Sequence, residues 1–240
     1  MKLLALDTAT EHMAVALVTA PGMALTRNLP GGAAASSQLI PQVLALLAEA
    51  GLPLSALDAV AFGQGPGAFT GLRTAVSVAQ GLAFGAGLGV LPIDSLLLVA
   101  DDALAQAAGD TVMHQPGWVL MDARMDEIYA ARYQHDGRGW HVLTAPALYD
   151  LTTLHTLWAA EAPAWACGSA LTAFDGRLAL GTARCWPHIA DRAAALARLA
   201  EAALQVGPLL PAEAALPLYL RDKVALTTAE REAARRASAA

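Results

Sequence analysis

The run from Gly63 to Arg73, GQGPGAFTGLR, constrains this chain more than any other. It follows an apolar stretch, Ala59–Phe62, that reads as a buried strand, and a long helical pattern opens near Gly71. Backbone without Cβ atoms lets a ligand or another chain segment come close, and helix-opening N–H groups favour anions. The run lacks the Gly-Lys-Ser/Thr ending of a P-loop, so by itself it names no ligand.

The opening residues supply the second half of the signal. Leu3–Leu6 reads as a short buried strand that ends in Asp7-Thr8-Ala9-Thr10. His12–Thr19 is apolar and β-compatible, and Pro21-Gly22 marks a turn. A strand ending in Asp-Thr and followed by a hairpin resembles the start of the actin, sugar-kinase and Hsp70 ATPase superfamily, where the Asp and Thr sit over nucleotide phosphates. The chain as a whole resembles the TsaB (YeaZ) family of bacterial tRNA threonylcarbamoyladenosine biosynthesis proteins. The matching pieces are LALDTAT at Leu4–Thr10, SQLIPQV at Ser37–Val43, GQGPGAFTGLR, AQGLAFG at Ala79–Gly85, MDARMDEIYAARY at Met121–Tyr133 and PLYLR at Pro217–Arg221. That resemblance implies an α/β fold of the actin-like ATPase (ASKHA) type with two related lobes. It departs in one place: Ser36-Ser37-Gln38 stands where the family often has His before Thr/Ser-Gln.

Composition excludes several classes. The chain has 240 residues, 56% hydrophobic and 15% charged, which fits a globular core inflated by alanine. Thr74–Ile93 carries no charge over roughly the ~20 residues of a membrane span. Its four glycines, Gln80 and Pro92 favour a buried helix followed by a strand. The first residues lack the basic stretch and apolar core of a signal peptide, and Cys167 and Cys185 have no metal-ligand spacing; both point to a reduced cytoplasmic protein. With a net charge of −6 and no basic stripe before the tail, direct tRNA binding is not expected.

Strands are predicted at Lys2–Asp7, His12–Thr19, Met23–Asn28, Ala59–Gly63 and Gly89–Leu91. Helices are predicted over Gln38–Ala50 (capped by Ser36 or Ser37, stopped by Gly51), Gly71–Gly85 and from a Ser95 cap to about Ala108. Gly109–Gly117 reads as a linker into a second α/β unit, with strands at Trp118–Asp122, Glu127–Gln134, Trp140–Leu143 and Ala164–Cys167 and helices at Leu151–Ala160 and Arg192–Gln205. The expected division is 1–108, a lobe with partner-binding helices; 109–225, a second lobe; and 226–240, a flexible tail.

Little in the sequence carries catalysis. The six histidines (His12, His114, His135, His141, His155, His188) include no His-xxx-His pair, so no metal site is expected, and His-Glu-xx-His is absent. No Asp or Glu lies between Asp58 and Asp94 to hold metal over phosphates. Ser169 lacks a G-x-S-x-G setting, and Cys167 reads as a small core residue. Asp122–Glu127 reads either as a pair of working carboxylates or as a tight turn in which Asp122 and Arg124 pair. The superfamily resemblance implies a vestigial nucleotide site of Asp7, Thr8, Thr10, Gly65, Gly67 and Gly168; equally, Asp7 is a strand-end residue that accepts from turn amides.

The strongest expectation is a surface. On the first predicted helix Leu39, Ile40, Val43, Leu44, Leu46 and Leu47 cover an arc well beyond the ~100° that a one-sided helix needs. The second helix offers Leu72, Ala75, Val76 and Ala79 on one face and small residues on another. Either a thick monomer core covers both faces or a partner covers one. The family resemblance implies the latter: a helical bundle with a second copy, or with TsaD. The expected interface is Leu39, Ile40, Val43, Leu44, Leu47, Thr70, Leu72, Arg73, Val76, Ser77 and Gln80, and a charge at Val43 or Val76 is expected to break docking while the monomer stays folded. The resemblance further implies a non-catalytic scaffold that acts with TsaD and TsaE on the adenosine 3′ of the anticodon in tRNAs reading codons that begin with A. It implies no cofactor bound by this chain alone, ATP or ADP at the partner complex, a homodimer in TsaD's absence, and tRNA only indirectly. Alternatives within the superfamily are a small-molecule kinase or ATPase and a metalloprotease-like protein.

Overall fold

The computed structural model describes residues 1–221; the expected tail at 226–240 and the end of the second expected lobe lie outside the described residues. One plan, βββαβαβα, is used twice. The first copy is β1 (Leu3–Asp7), β2 (His12–Ala20), β3 (Met23–Pro30), α1 (Ala35–Glu49), β4 (Ala59–Gly65), α2 (Phe69–Ala86), β5 (Gly89–Asp94) and α3 (Ser95–Gln106). The second is β6 (Gly117–Asp122), β7 (Ile128–His135), β8 (Trp140–Tyr149), α4 (Leu151–Ala160), β9 (Trp165–Cys167), the short α5 (Ala170–Ala173), β10 (Arg184–Trp186) and α6 (Arg192–Val206). The sheets run β3-β2-β1-β4-β5 and β8-β7-β6-β9-β10, the same order in both. Hairpin pairs are antiparallel and the helix-linked pairs are parallel. This doubled topology is the actin-like ATPase fold.

The pattern of β1 follows from its position. It lies between two neighbours, with Leu6 opposite Val15 on one side and Phe62 on the other. It is covered on both faces, so it is apolar throughout rather than alternating. Leu4 and Leu6 face a layer built with α1 and α2, against Leu39, Val43, Ala75 and Val76. Leu3 and Ala5 face the opposite way, against Ala193, Leu196 and Ala200 of α6.

Helices α3 and α6 cross between the sheets. Leu96, Val99 and Ala103 of α3 pack with Val119, Met121, Tyr133 and Trp165 of the second sheet, while α6 closes the first sheet. Carboxylates on α3 fix this exchange. Asp102 accepts from the backbone N–H groups of Ala190 and Asp191 at the entry to α6 (2.8 and 2.7 Å). Asp101 accepts from Trp140 Nε1 (3.1 Å) and Arg198 Nε (2.7 Å).

Several local expectations change. α1 begins at Ala35 out of a 3-10 turn, and neither Ser36 nor Ser37 caps it; their hydroxyls donate back to the carbonyls of Ala33 and Ala34. It ends as expected at Gly51 (φ +63°), where the N–H groups of Gly51 and Leu52 donate to the carbonyls of Ala48 and Leu47. α3 is capped by Asp94, one residue before the expected Ser95. The expected linker Gly109–Gly117 holds a 3-10 turn, Thr111–His114, with Met113 buried. β8 continues to Tyr149, and β10 was not expected at all. The uncharged stretch Thr74–Ile93 divides at Gly87 into helix and strand, and no helix among the described residues is long and apolar enough to cross a membrane.

Burial lifts the Asp94 carboxyl above its ordinary 3.8, although Tyr133 and the N–H groups of Leu96 and Leu97 donate to it. The folded state therefore holds this proton to higher pH than the unfolded chain. Its stabilising contribution is full below 3.8 and is lost as pH rises through the lifted value. Asp94→Asn keeps an oxygen for the cap and should flatten that decline, as read by urea unfolding across mildly acidic pH.

Candidate functional site

Two features stand out: a cleft between the lobes and the outer face of α1 and α2. The cleft has a volume of about 740 Å³. Its walls come from the β1–β2 loop (Thr10, Glu11, His12), the start of α2 (Gly67, Phe69, Leu72), the β6–β7 turn (Asp122, Arg124, Met125), Ser169, and the segment Leu218–Arg221.

Asp7 does not reach into this cleft. It is fully buried. Its Oδ1 accepts from Ala9 N–H (3.1 Å) and from Nε and Nη2 of Arg192 (3.0 and 2.9 Å), and its Oδ2 accepts from Ser95 Oγ (2.7 Å). Ser95 Oγ in turn accepts from Gly65 N–H (3.1 Å). Arg192, the first residue of α6, is itself only 2% exposed. Thr8 is also buried and donates to Gly71 O at 2.6 Å.

The glycine run makes room for this assembly. A Cβ at Gly63 would lie 1.7 Å from Asp7 Oδ2, one at Gly67 would lie 2.3 Å from Ala9 O, and one at Gly71 would lie 1.9 Å from Thr8 O. Ala68 N–H also donates to Ala9 O at 2.7 Å. The close approach that these glycines permit is therefore taken up by the end of β1. Of the six residues of the expected nucleotide site, Thr10 and Gly67 line the cleft. Asp7 and Thr8 are committed inside the protein, and Gly65 is buried with its N–H on Ser95. Gly168 (φ +113°) lets the β9–α5 turn close on β6, where a Cβ would strike Leu120 O at 2.4 Å.

The stretch Asp122–Glu127 is a tight turn. Asp122 accepts from Arg124 N–H at 2.8 Å and pairs with its guanidinium at 3.0 Å. Asp126 holds Arg177 through both oxygens (2.7 and 2.9 Å), and this bond holds its carboxyl below the usual carboxylate range. Among the described residues no cluster of three or more His, Cys, Asp or Glu could hold a metal ion. Cys167 is buried, which pushes its thiol well up.

The structure divides the expected interface residues into two sets. Leu39, Val43, Leu47 and Val76 are buried in the first-sheet core within the monomer, and Leu72 is buried beside Gly65. Val43 and Val76 therefore belong to the core, and a charge at either would unfold the chain rather than merely undock a partner. Ile40, Leu44, Thr70, Arg73 and Ser77 are exposed and Gln80 is half-buried. Ile40 (45% exposed), Leu44 (57%) and Phe84 (79%) are the large apolar members of the outer face. Arg73 is engaged: its guanidinium lies 3.8 Å over the Phe69 ring, and its Nε donates to the Tyr219 hydroxyl at 2.9 Å.

Arg192, Ser95, Phe69, Tyr219 and Arg221 were not singled out as site residues in the sequence. Pro217–Arg221 stood out as a motif there, but nothing local pairs Arg192 with Asp7 across 185 positions.

Fold and site together define an actin-like ATPase-fold protein in which the strand-end aspartate has been drawn into the interior. The sequence model for TsaD, tRNA N6-adenosine threonylcarbamoyltransferase, matches residues 31–174. The Escherichia coli tRNA threonylcarbamoyladenosine biosynthesis protein TsaB is 30% identical over 94% of this chain and 96% of its own length. The Haemophilus influenzae protein of the same name is 44% identical over 131 residues, with 54% of this chain matched to about half (52%) of that protein's length. The solved structure of YeaZ from Pseudomonas aeruginosa superposes with a TM-score of 0.78 at 36% identity, covering 91% of this chain and 99% of that one. A second Pseudomonas aeruginosa structure, described by similarity to peptidase YEAZ, gives 0.79 at 36% identity over 92% and 99%. The chain belongs to the TsaB (YeaZ) family.

Two variants test the packed site. Arg192→Ala leaves the Asp7 carboxylate buried without its counter-charge and should cost about 3–5 kcal/mol in urea unfolding. Gly71→Ala forces a Cβ against the Thr8 carbonyl and should cost about 3 kcal/mol. Wild-type stability in either variant would refute this account of the site.

Proposed function

We propose that this chain is a non-catalytic scaffold subunit in the synthesis of threonylcarbamoyladenosine in tRNA, acting in the cytoplasm. The observation that carries this reading is the outer face of α1 and α2. Ile40, Leu44 and Phe84 stand in solvent among Ser36, Ser37, Thr70, Ser77 and Gly81. Between Ala35 and Ala86 the two helices carry two charged side chains, Glu49 at the end of α1 and Arg73, which is stacked on an aromatic ring. A helix pair that leaves aliphatic and aromatic side chains exposed, with small residues between them, suits close packing by other helices.

The occupant is a TsaD-type protein. Family membership supports this, because named relatives are threonylcarbamoyladenosine biosynthesis proteins. The match to the TsaD sequence model takes in α1 and α2, so the partner shares the elements that meet. In this reading the partner supplies the chemistry and the tRNA contact, and TsaE joins the pair. ATP or ADP binds at the assembled complex, and a second copy of this chain covers the same face when the partner is lacking. The engagement of Asp7 by Arg192 and Ser95 supports a non-catalytic role over a kinase or ATPase, since a phosphoryl-transfer site needs free carboxylates over the phosphates.

Leu44→Glu places a charge on this face at a position outside the core. It should weaken co-elution with TsaD of the same organism by more than tenfold, as one carboxylate desolvated without a partner costs more than ~1.4 kcal/mol. The monomer's melting temperature should stay unchanged. Threonylcarbamoyl transfer to tRNA should require both chains and fall with the variant. Normal co-elution, or transfer by this chain alone, would reject the reading.

A further inference from the structure

The segment Pro217–Arg221 runs along one wall of the cleft and bonds to both lobes. On the first lobe, Leu218 N–H donates to Gln64 O at 2.7 Å. The Tyr219 ring lies 5.2 Å from that of Phe69, and its hydroxyl accepts from Arg73. On the second lobe, Arg221 Nη2 donates to the carbonyls of Ala123 (3.0 Å) and Arg124 (3.3 Å) and to Glu127 Oε2 (2.5 Å). Its Nη1 lies 3.2 Å from Met125 Sδ.

The turn that Arg221 grips is strained. Arg124, Met125 and Asp126 have φ of 62°, 56° and 62°, so three successive residues with side chains occupy the left-handed region. Such a run persists only where its surroundings over-determine it. Asp122 holds Arg124 N–H and Arg177 holds the Asp126 carboxylate, both from within the second lobe. Arg221 comes from the strap, whose other end rests on Arg73 and Phe69 of α2. Arg73 stands one turn from Ser77 on the outer face of that helix.

We propose that Pro217–Arg221 couples the α1–α2 face to the turn Asp122–Glu127 in the cleft. The turn has two arrangements: the left-handed one held by Arg221, and a relaxed one that it adopts when Arg221 withdraws. A partner that draws the Arg73 guanidinium off Phe69 and Tyr219 loosens the strap, and so favours the relaxed turn. Such a partner binds the two arrangements with different affinity, which is what a population shift requires. The strap-to-turn link stands on this chain alone; the identity of the partner rests on the function proposed above.

Amide hydrogen exchange of the full chain, read by mass spectrometry, tests the coupling. Arg221→Ala should speed exchange over 122–128 by about tenfold, since charge-assisted bonds to the turn are lost; Arg221→Lys should give a smaller rise. The deciding variant is Tyr219→Ala, whose ring contact and hydroxyl bond are to Phe69 and Arg73 in the other lobe. Faster exchange over 122–128 in this variant supports coupling, and unchanged exchange there overturns it. Adding TsaD should likewise speed exchange at the turn. A complex that forms without altering the turn overturns the coupling and leaves the docking reading intact. Failure to form any complex rejects the docking reading, and Tyr219→Ala then decides the coupling by itself.

Discussion

The buried pair between Asp7 and Arg192 is the contact on which the remaining architecture depends. It joins the end of the first strand to the first residue of the last helix, and through Ser95 it reaches the N–H of Gly65. Elements from both repeats therefore meet at one carboxylate. A charge with no access to water is tolerable only with a counter-charge and hydrogen bonds, and Asp7 has both. Among the described residues Arg192 Nη1 has no partner, so the pair is not an optimised source of stability. Its larger effect is to fix geometry: α6 must enter at this point and pack its alanine-rich face on the first sheet.

That geometry decides what the cleft can do. In a glycine-rich strand-to-helix loop the space above the backbone is the resource. Here β1 occupies it, with Ala9 O and Thr8 O against Gly67 and Gly71 and the Asp7 carboxylate against Gly63. The cleft that remains is bounded by the start of α2, the β6–β7 turn and the strap, and three of its charged side chains are already paired: Asp122 with Arg124, and Arg221 with Glu127. The two-lobed form is kept, and the strand-end residues Asp7 and Thr8 are parts of the interior.

Much of this was legible in the sequence, and for physical reasons. Strands buried on both faces read as apolar runs, and the glycine stop of α1 has a backbone cause visible in one residue. The absence of paired histidines is likewise a local fact. Helix starts were less legible, because Ser36, Ser37 and Ser95 look like caps and spend their hydroxyls elsewhere. β10, three residues long with two of them exposed, carries no periodic signal. The Arg192 pairing and the grip of Arg221 join residues at least 94 positions apart, and residue type alone cannot identify such partners. The glycine run was legible as a place of close approach, but what approaches it was visible only in the fold.

The width of the apolar arc on α1 lets one helix serve both the core and the docking proposed above. Leu39, Val43, Leu46 and Leu47 go to the core, and the excess, Ile40 and Leu44, stands outside. Fully burying an aliphatic or aromatic side chain contributes about 1.5–3 kcal/mol. Ile40, Leu44 and Phe84 are already partly covered in the monomer (45%, 57% and 79% exposed), so together they supply only a few kcal/mol. Association costs roughly 4–15 kcal/mol in lost freedom. Three anchors therefore cannot hold a partner unaided, and a stable complex has to bury closer to ~800 Å² on each side. The small residues between the anchors, Ser77, Gly81 and Gly85 on α2 and Ala45 and Ala48 on α1, let a partner's helices approach closely enough to add that area. The same residues are too small to build an attractive core of their own, which is why the face stays open in the monomer.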